Sequence, residues 1–411
     1  MRIVYVYDGD WPRGATRVAK ETRSLARAGH EVHLVARNSQ REAREEAGEW
    51  MTVHRLPAVG PEWANRLLNF PYFFNPVWIR TIDRVVRRVD ADCLVAGDLP
   101  IAPTTYWVAR RHGLPVHYDM AEVYPVFLES LWEFEKMGLA DHVVRNPSLA
   151  AMLERYVLRR MDTIFVVTEE SRDRCLSLGV AAEKLVIVGN TPDDVDRLQA
   201  THELPVDLRP RADRLRVLFV GILLGDRGVA EAVEAKRSDV DQVPEAALIV
   251  VGDGRDAPRI RATVERLGLK GHVGLLGWHE HSTLAAYYAH CHVGLLPFRD
   301  GKHVRITLAN KLFDYMAAGL PVVATDLPPM RRVLDETGAG VTFAPGDVQA
   351  LGQRIVELLR NESDRRRFGA NGARAVAEKY RWSVDERRFI EALVRRTPRR
   401  GGHRGGERAA S

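Results

Sequence analysis

Short apolar runs alternate with amphipathic stretches along nearly the whole chain. In the first half, runs at 3–7, 32–35, 93–96, 116–119, 164–167 and 186–188 read as strands. Between them, 16–28, 77–89, 103–112, 149–161 and 170–178 carry helical periodicity. Strands that are apolar without alternation are buried on both faces, so these runs predict a parallel sheet covered by helices. Gly29, just past the first helix, is a usual helix stop.

The pattern breaks at 190–214, where Pro192, Pro205 and Pro210 stand among Asp residues without a period. This stretch predicts a linker. A second α/β series follows, with strands at 217–220, 248–251, 273–276, 293–296, 322–324 and 340–343. Its helices fall at 229–235, 257–267, 283–290, 310–318, 349–359 and 365–379, with a last one at 384–395. The two halves share an architecture without a sequence repeat. The expected fold is α/β, two doubly wound Rossmann-like domains over 1–200 and 201–380 that face a cleft. In such sheets ligands bind beyond the carboxyl ends of the strands and at helix N-termini.

Composition narrows the classes. The 411 residues are 45% apolar and 28% charged, which fits a soluble globular chain of two domains. The net charge of +5 comes from the end: 395–411 holds six Arg and one Glu, leaving 54 groups of each sign elsewhere. A neutral body with a Gly/Arg tail at 396–411 predicts a disordered basic end and no nucleic-acid partner. Cys93, Cys175 and Cys291 are too far apart for metal-ligand spacing and read as reduced thiols of a cytoplasmic protein. No run reaches the ~20 apolar residues of a membrane span. The first apolar run meets Asp8 too early for a signal peptide.

The densest chemistry lies at 307–324. Thr307, Leu308, Ala309 and Asn310 predict a tight loop that opens a helix, whose free amides and dipole favour a diphosphate. Lys311 adds a cation. Asp314, one turn in, shares the face of Asn310 and Lys311 and can accept hydrogen bonds from hydroxyl groups there. The run from Asn310 through Lys311, Leu312, Phe313, Asp314, Tyr315 and Met316 to Gly319, Pro321 and Val322 resembles the nucleotide-sugar signature of retaining GT-B glycosyltransferases of the family-4 type. Gly221 with Asp226, Arg227 and Gly228, then Gly252, Gly277 and Trp278, resemble that family's strand ends and donor-facing loops. Residues 380–383 and the last helix, 381–395, resemble its terminal helix, which crosses back onto the N-terminal domain.

The resemblance implies transfer of a sugar from a nucleoside-diphosphate sugar to a hydroxyl of a glycan, lipid-linked sugar or small molecule. It implies no cofactor and no metal. A nucleotide-sugar epimerase and a non-catalytic sugar-nucleotide-binding partner subunit are the alternatives. Arg227 and Lys311 are the expected diphosphate cations. Gly14, in the loop after the first strand, is expected beside the donor, and Asp119 and Glu122, at the end of the 116–119 strand, beside the acceptor.

Several positions depart from the family pattern, among them Asp314, one methylene shorter than the second of the family's two glutamates, and Ile222, where an arginine often follows the glycine. Ile306 stands where the family has the first of two glutamates, which leaves the sugar to backbone amides and to neighbours such as His303 or Arg305. Ala121 stands where it often has a histidine. Asp8 and Asp10 imitate a metal-binding pair by chance. The aromatic stretch 63–78, with Arg66 and Arg80 nearby, reads as packing on the N-terminal core or as peripheral contact with an anionic membrane at its inner face.

Overall fold

The computed structural model describes residues 1–398 except 71–73, 135–137, 139–141, 143–144 and 240–241. Among the described residues, the first sheet has the order β3-β4-β2-β1-β5-β6-β7-β8. Its strands are β1 (Arg2–Asp10), β2 (Glu31–Arg37), β3 (Glu45–Ala47), β4 (Thr52–Arg55), β5 (Cys93–Gly97), β6 (Val116–Met120), β7 (Thr163–Val166) and β8 (Leu185–Ile187). All neighbours run parallel except β3 against β4.

β1 explains why its sequence does not alternate. Val4 and Val6 point into a cluster with Trp78, Ile82 and Tyr118. Ile3 and Tyr5 point to the opposite face, into a cluster with Phe165, Trp382 and Phe389. Both faces are covered, so every position from Ile3 to Val6 is apolar. β1 also runs further than its apolar run, because Asp10 re-enters pairing with Arg37 after a bulge. Residues 8–10, expected as loop, are therefore strand, and the loop is 11–15. The strands β3 and β4 carry no apolar run, β3 being an exposed Glu-Glu-Ala segment and β4 a Thr-Val-His-Arg segment with one aliphatic residue.

The second sheet has the order β11-β10-β9-β12-β13-β14, all parallel. Its strands are β9 (Leu215–Val220), β10 (Ala246–Val251), β11 (Val273–Gly277), β12 (Val293–Leu296), β13 (Val322–Thr325) and β14 (Gly340–Phe343). The stretch expected as a linker is structured instead. It holds a helix, Val195–Gln199, and a 3-10 turn, Val206–Arg211, and buries Leu198 and Leu208 in the C-terminal core. The chain crosses between domains at 190–194. The helix Trp382–Arg396 returns to the first domain, where Phe389 packs on Phe165 at 4.7 Å between ring centroids. Trp382 anchors its start: its indole N–H donates to Ser24 and its amide to the Pro192 carbonyl.

The tail at 399–411 and the side chains of residues 66–69 and 71–73 lie outside the described residues. In the rest of the aromatic stretch, Trp78 is wholly buried whereas Trp63 is 71% and Phe74 52% exposed. No described helix is long and apolar enough to cross a membrane.

Phe389→Ala is expected to cost about 3–5 kcal/mol of stability, the usual range for emptying a buried ring site. Exposed Arg387→Ala is expected to stay within ~0.5 kcal/mol. Denaturant unfolding of the two variants side by side checks this.

Candidate functional site

The carboxyl ends of β9 and β10 face the helix Thr16–Arg27 and the crossover residues 190–194 across a cavity of about 510 Å³. Two glycines let the second sheet bring its strand ends close there. Gly252, just past β10, has φ +147°, and a Cβ on it would fall 1.8 Å from the Gly221 carbonyl oxygen. No side chain fits between these strand ends. Gly277, at the end of β11, has φ +78° and precedes Trp278, which is 67% exposed at the cavity wall.

The helix Asn310–Ala317 begins at this cavity. Its N-cap is Ala309, which offers no side-chain hydrogen bond, so the first turn keeps unfilled donors. Asn310, Lys311 and Asp314 all line the cavity, as do Gly221, Gly252 and Trp278. Lys311 Nζ donates to Asp314 Oδ2 at 2.8 Å, and Tyr288 OH approaches the same oxygen at 3.4 Å. Cation and carboxylate thus hold each other within the cavity. Of the preceding residues, Thr307 bonds the His303 carbonyl, Ala309 packs on the C-terminal core, and Leu308 lines a separate cavity.

Arg227 is not among the lining residues. Its short turn, Gly225–Arg227, lies against the N-terminal helix Tyr124–Phe134. Its guanidinium stacks 4.7 Å from the Phe298 ring centroid and sits 3.4 Å from Asp226. Gly14 has φ +67° with open space around its Cβ position, in the loop ahead of the helix Thr16–Arg27.

That helix supplies cations the sequence reading passed over. Thr16, Lys20 and Arg23 line the cavity from the N-terminal side, and Arg197 joins them from the crossover. Their i, i+4 and i+3 spacing places them on one face, a stripe the helical periodicity already contained. Lys20 Nζ donates to the Thr191 carbonyl at 2.7 Å. Burial pulls its pKa down to about 8, against the opposing pull of Asp193. Four cations and three carboxylates (Asp193, Asp194 and Asp314) line the cavity, giving a slight positive excess that the helix start increases.

Asp119 is buried and committed. Arg17 grips both its oxygens, with Nη2 at 2.6 Å and Nε at 2.9 Å, and also meets Glu21 at 3.0 Å. The same guanidinium reaches the Val188 carbonyl and Asn190, tying β6 to the crossover. One cation for two buried carboxylates leaves Glu21 pushed up to about 8 by burial and by Asp119, and Tyr5 OH donates to it at 2.8 Å. Glu122, two residues past β6, meets His303 of the other domain: Oε1 lies 2.6 Å from Nε2. Ile306 packs on the N-terminal apolar cluster. Asp10 accepts from the Ser39 amide, and no described group of His, Cys, Asp or Glu is arranged to hold a metal ion.

Residues 214–361 match the family described as "Glycosyl transferases group 1", and residues 14–191 match the "Glycosyl transferase 4-like domain". The chain belongs to the group 1 glycosyl transferases. Among relatives, the phosphatidyl-myo-inositol mannosyltransferase of Mycobacterium leprae is 36% identical over 169 residues, 41% of this chain and 43% of that one. The alpha-D-kanosaminyltransferase of Streptomyces kanamyceticus is 23% identical over 301 residues, 72% of this chain and 74% of that one. The matched stretch thus spans under half of the mannosyltransferase. Sucrose-phosphate synthase of Thermosynechococcus elongatus superposes with TM-score 0.73 at 18% identity, covering 96% of this chain and 98% of that one. Anabaena HepE, solved with UDP-glucose, gives 0.70 at 15% identity, covering 96% and 100%. The fold of this group 1 chain is GT-B.

Lys20 is charged below its pKa of about 8 and loses its proton as pH rises through that value. Affinity for a nucleoside diphosphate is therefore expected to fall across that range. Lys20→Met is expected to flatten the fall, as calorimetry on either side of this pH can read.

Proposed function

We propose that this chain is a retaining glycosyltransferase. It takes a sugar from a nucleoside-diphosphate sugar and places it on a hydroxyl of a glycan, lipid-linked or small-molecule acceptor. The observation that carries this reading is the interdomain cavity at which an uncapped helix start, Lys311 and, from the opposite domain, Lys20 converge. Its volume falls within the range of small-ligand sites, ~300–1,000 Å³. Relatives named for mannosyl and kanosaminyl transfer, and a fold neighbour solved with UDP-glucose, support a sugar-nucleotide donor.

The diphosphate sits on the Asn310–Lys311 amides, with Lys311 and Lys20 on either side. The ribose hydroxyls take over Asp314 as Lys311 turns to phosphate. The base lies toward Gly277 and Trp278, whose open ring face suits a flat apolar partner. As the bond from the sugar's anomeric carbon to the diphosphate oxygen breaks, its electron pair leaves with the diphosphate. An oxocarbenium-like centre remains and the acceptor oxygen bonds to it. The acceptor proton passes to the departing diphosphate. Charge grows on the leaving group, where fixed amides and cations stabilise it most, so the scheme routes no step through a metal. Retention at the anomeric carbon follows the family-4 type that the 310–322 signature resembles. A lipid-linked acceptor would meet the N-terminal domain near exposed Trp63 and Phe74.

A ligand that binds only the folded state raises its melting temperature. One of UDP-glucose, GDP-mannose, ADP-glucose or dTDP-glucose is expected to do so. Lys311→Ala is expected to weaken the matching nucleoside diphosphate about tenfold, roughly 1.4 kcal/mol. Proton NMR of the product is expected to show the donor's anomeric configuration. No shift with any of the four, or an unchanged affinity in the variant, contradicts the proposal.

A further inference from the structure

Residues 301–307 connect the region beyond β12 to the helix Asn310–Ala317. This segment is braced internally. The His303 carbonyl accepts from the Ile306 and Thr307 amides, both at 3.1 Å, and from Thr307 Oγ1 at 2.9 Å. Arg305 N–H donates to the Gly301 carbonyl, and the Arg305 guanidinium pairs with Asp300. A turn held this way moves as one piece.

Though it belongs to the C-terminal domain, the turn is anchored in the other one. His303 is 4% exposed. Its Nε2 lies 2.6 Å from Glu122 Oε1, its ring meets Phe127 edge-on at 5.5 Å, and its Nδ1 is buried with no hydrogen-bond partner. The Ile306 carbonyl accepts from two N-terminal hydroxyls, Thr168 Oγ1 at 2.7 Å and Ser171 Oγ at 2.8 Å. The Ile306 side chain packs on the apolar cluster of the N-terminal domain. A third contact, Lys302 to Glu129, joins largely exposed groups and is worth little.

We propose that 301–307 is a clasp that registers the start of the helix Asn310–Ala317 against the N-terminal domain, with His303 and Ile306 as its two positioning residues. The cleft opens only when His303 leaves Glu122 and Ile306 leaves its apolar seat. A glutamate at 306 would bring a carboxylate to that seat, so the isoleucine is what the contact requires. The contact itself is independent of the ligand. Its consequence for turnover rests on the sugar-nucleotide reading above: when the clasp forms, it fixes the phosphate-facing helix start opposite Lys20.

Spin labels at Arg155→Cys and Arg261→Cys, both exposed and one in each domain, report interdomain distance in the free full-length chain; the native cysteines are buried. The wild-type background is expected to give one narrow distance population. His303→Ala and Ile306→Glu are expected to broaden and shift it. His303→Gln, whose amide can still donate to Glu122, is expected to restore it, and Lys302→Ala to leave it unchanged. If His303→Ala and Ile306→Glu both keep the narrow population, the clasp is refuted. With whichever of the four sugar nucleotides binds, His303→Ala is also expected to slow donor hydrolysis about 10²-fold, the usual cost of a small misplacement, with recovery in His303→Gln. Altered distances with unaltered hydrolysis overturn the positioning role. If none of the four binds, the sugar-nucleotide reading fails, while the distances still decide the clasp.

Discussion

The helix Asn310–Ala317 begins without a side chain to satisfy its first amides. Amides in that condition are left to water or to a ligand. Here the end opens on a cavity between two domains, so the unmet donors and the positive end of the dipole face a space where an anion fits. Lys311 strengthens that field, and Asp314 holds Lys311 in place until something more negative arrives. The cavity's net side-chain charge is small, so the field at the helix start comes from the placement of donors more than from the number of cations.

The rest of the structure keeps that helix end opposite the N-terminal domain. The glycine pair at 221 and 252 brings two strand ends together with no side chain between them. Arg17 fastens β6, the first helix and the crossover with one guanidinium. The helix Trp382–Arg396 packs its apolar face on the first sheet, and Asp385 accepts from Thr191 at the crossover. Chain that leaves the first domain near Asn190 and chain that returns at Trp382 therefore meet at one edge of the cleft, and the 301–307 clasp acts elsewhere along it. Asp119 belongs to this framework and does not line the cavity, since both its oxygens are spent on Arg17 within a buried cluster.

Much of this was legible in the sequence. The second sheet's strands coincide with its Val/Ile/Leu runs, because strands buried on both faces leave an unbroken apolar signal. The shared helix face of Asn310, Lys311 and Asp314, which lines the cavity, was legible from helical spacing. Less visible were features that depend on tertiary contact. β3 has no apolar residue facing a core. The helix Tyr124–Phe134 starts with Tyr-Pro-Val-Phe, residues that favour extended backbone, and forms because it packs between domains. Arg227 had the right charge at the right spacing, yet the Phe298 ring takes its guanidinium. Lys20 carries no mark in the sequence, because only the fold turns its face toward Asp314. Ile306 looked like a loss in the donor site, whereas it sits on the apolar surface of the opposite domain.

Hydrogen exchange read by mass spectrometry, with and without saturating nucleoside diphosphate, tests the central claim most directly. Amides of the 308–314 segment, the strand ends at 220–222 and 251–253, and the 16–23 face are predicted to gain protection together, because a diphosphate on the helix start touches both domains. Protection confined to one domain, or falling away from 308–314, would contradict the account.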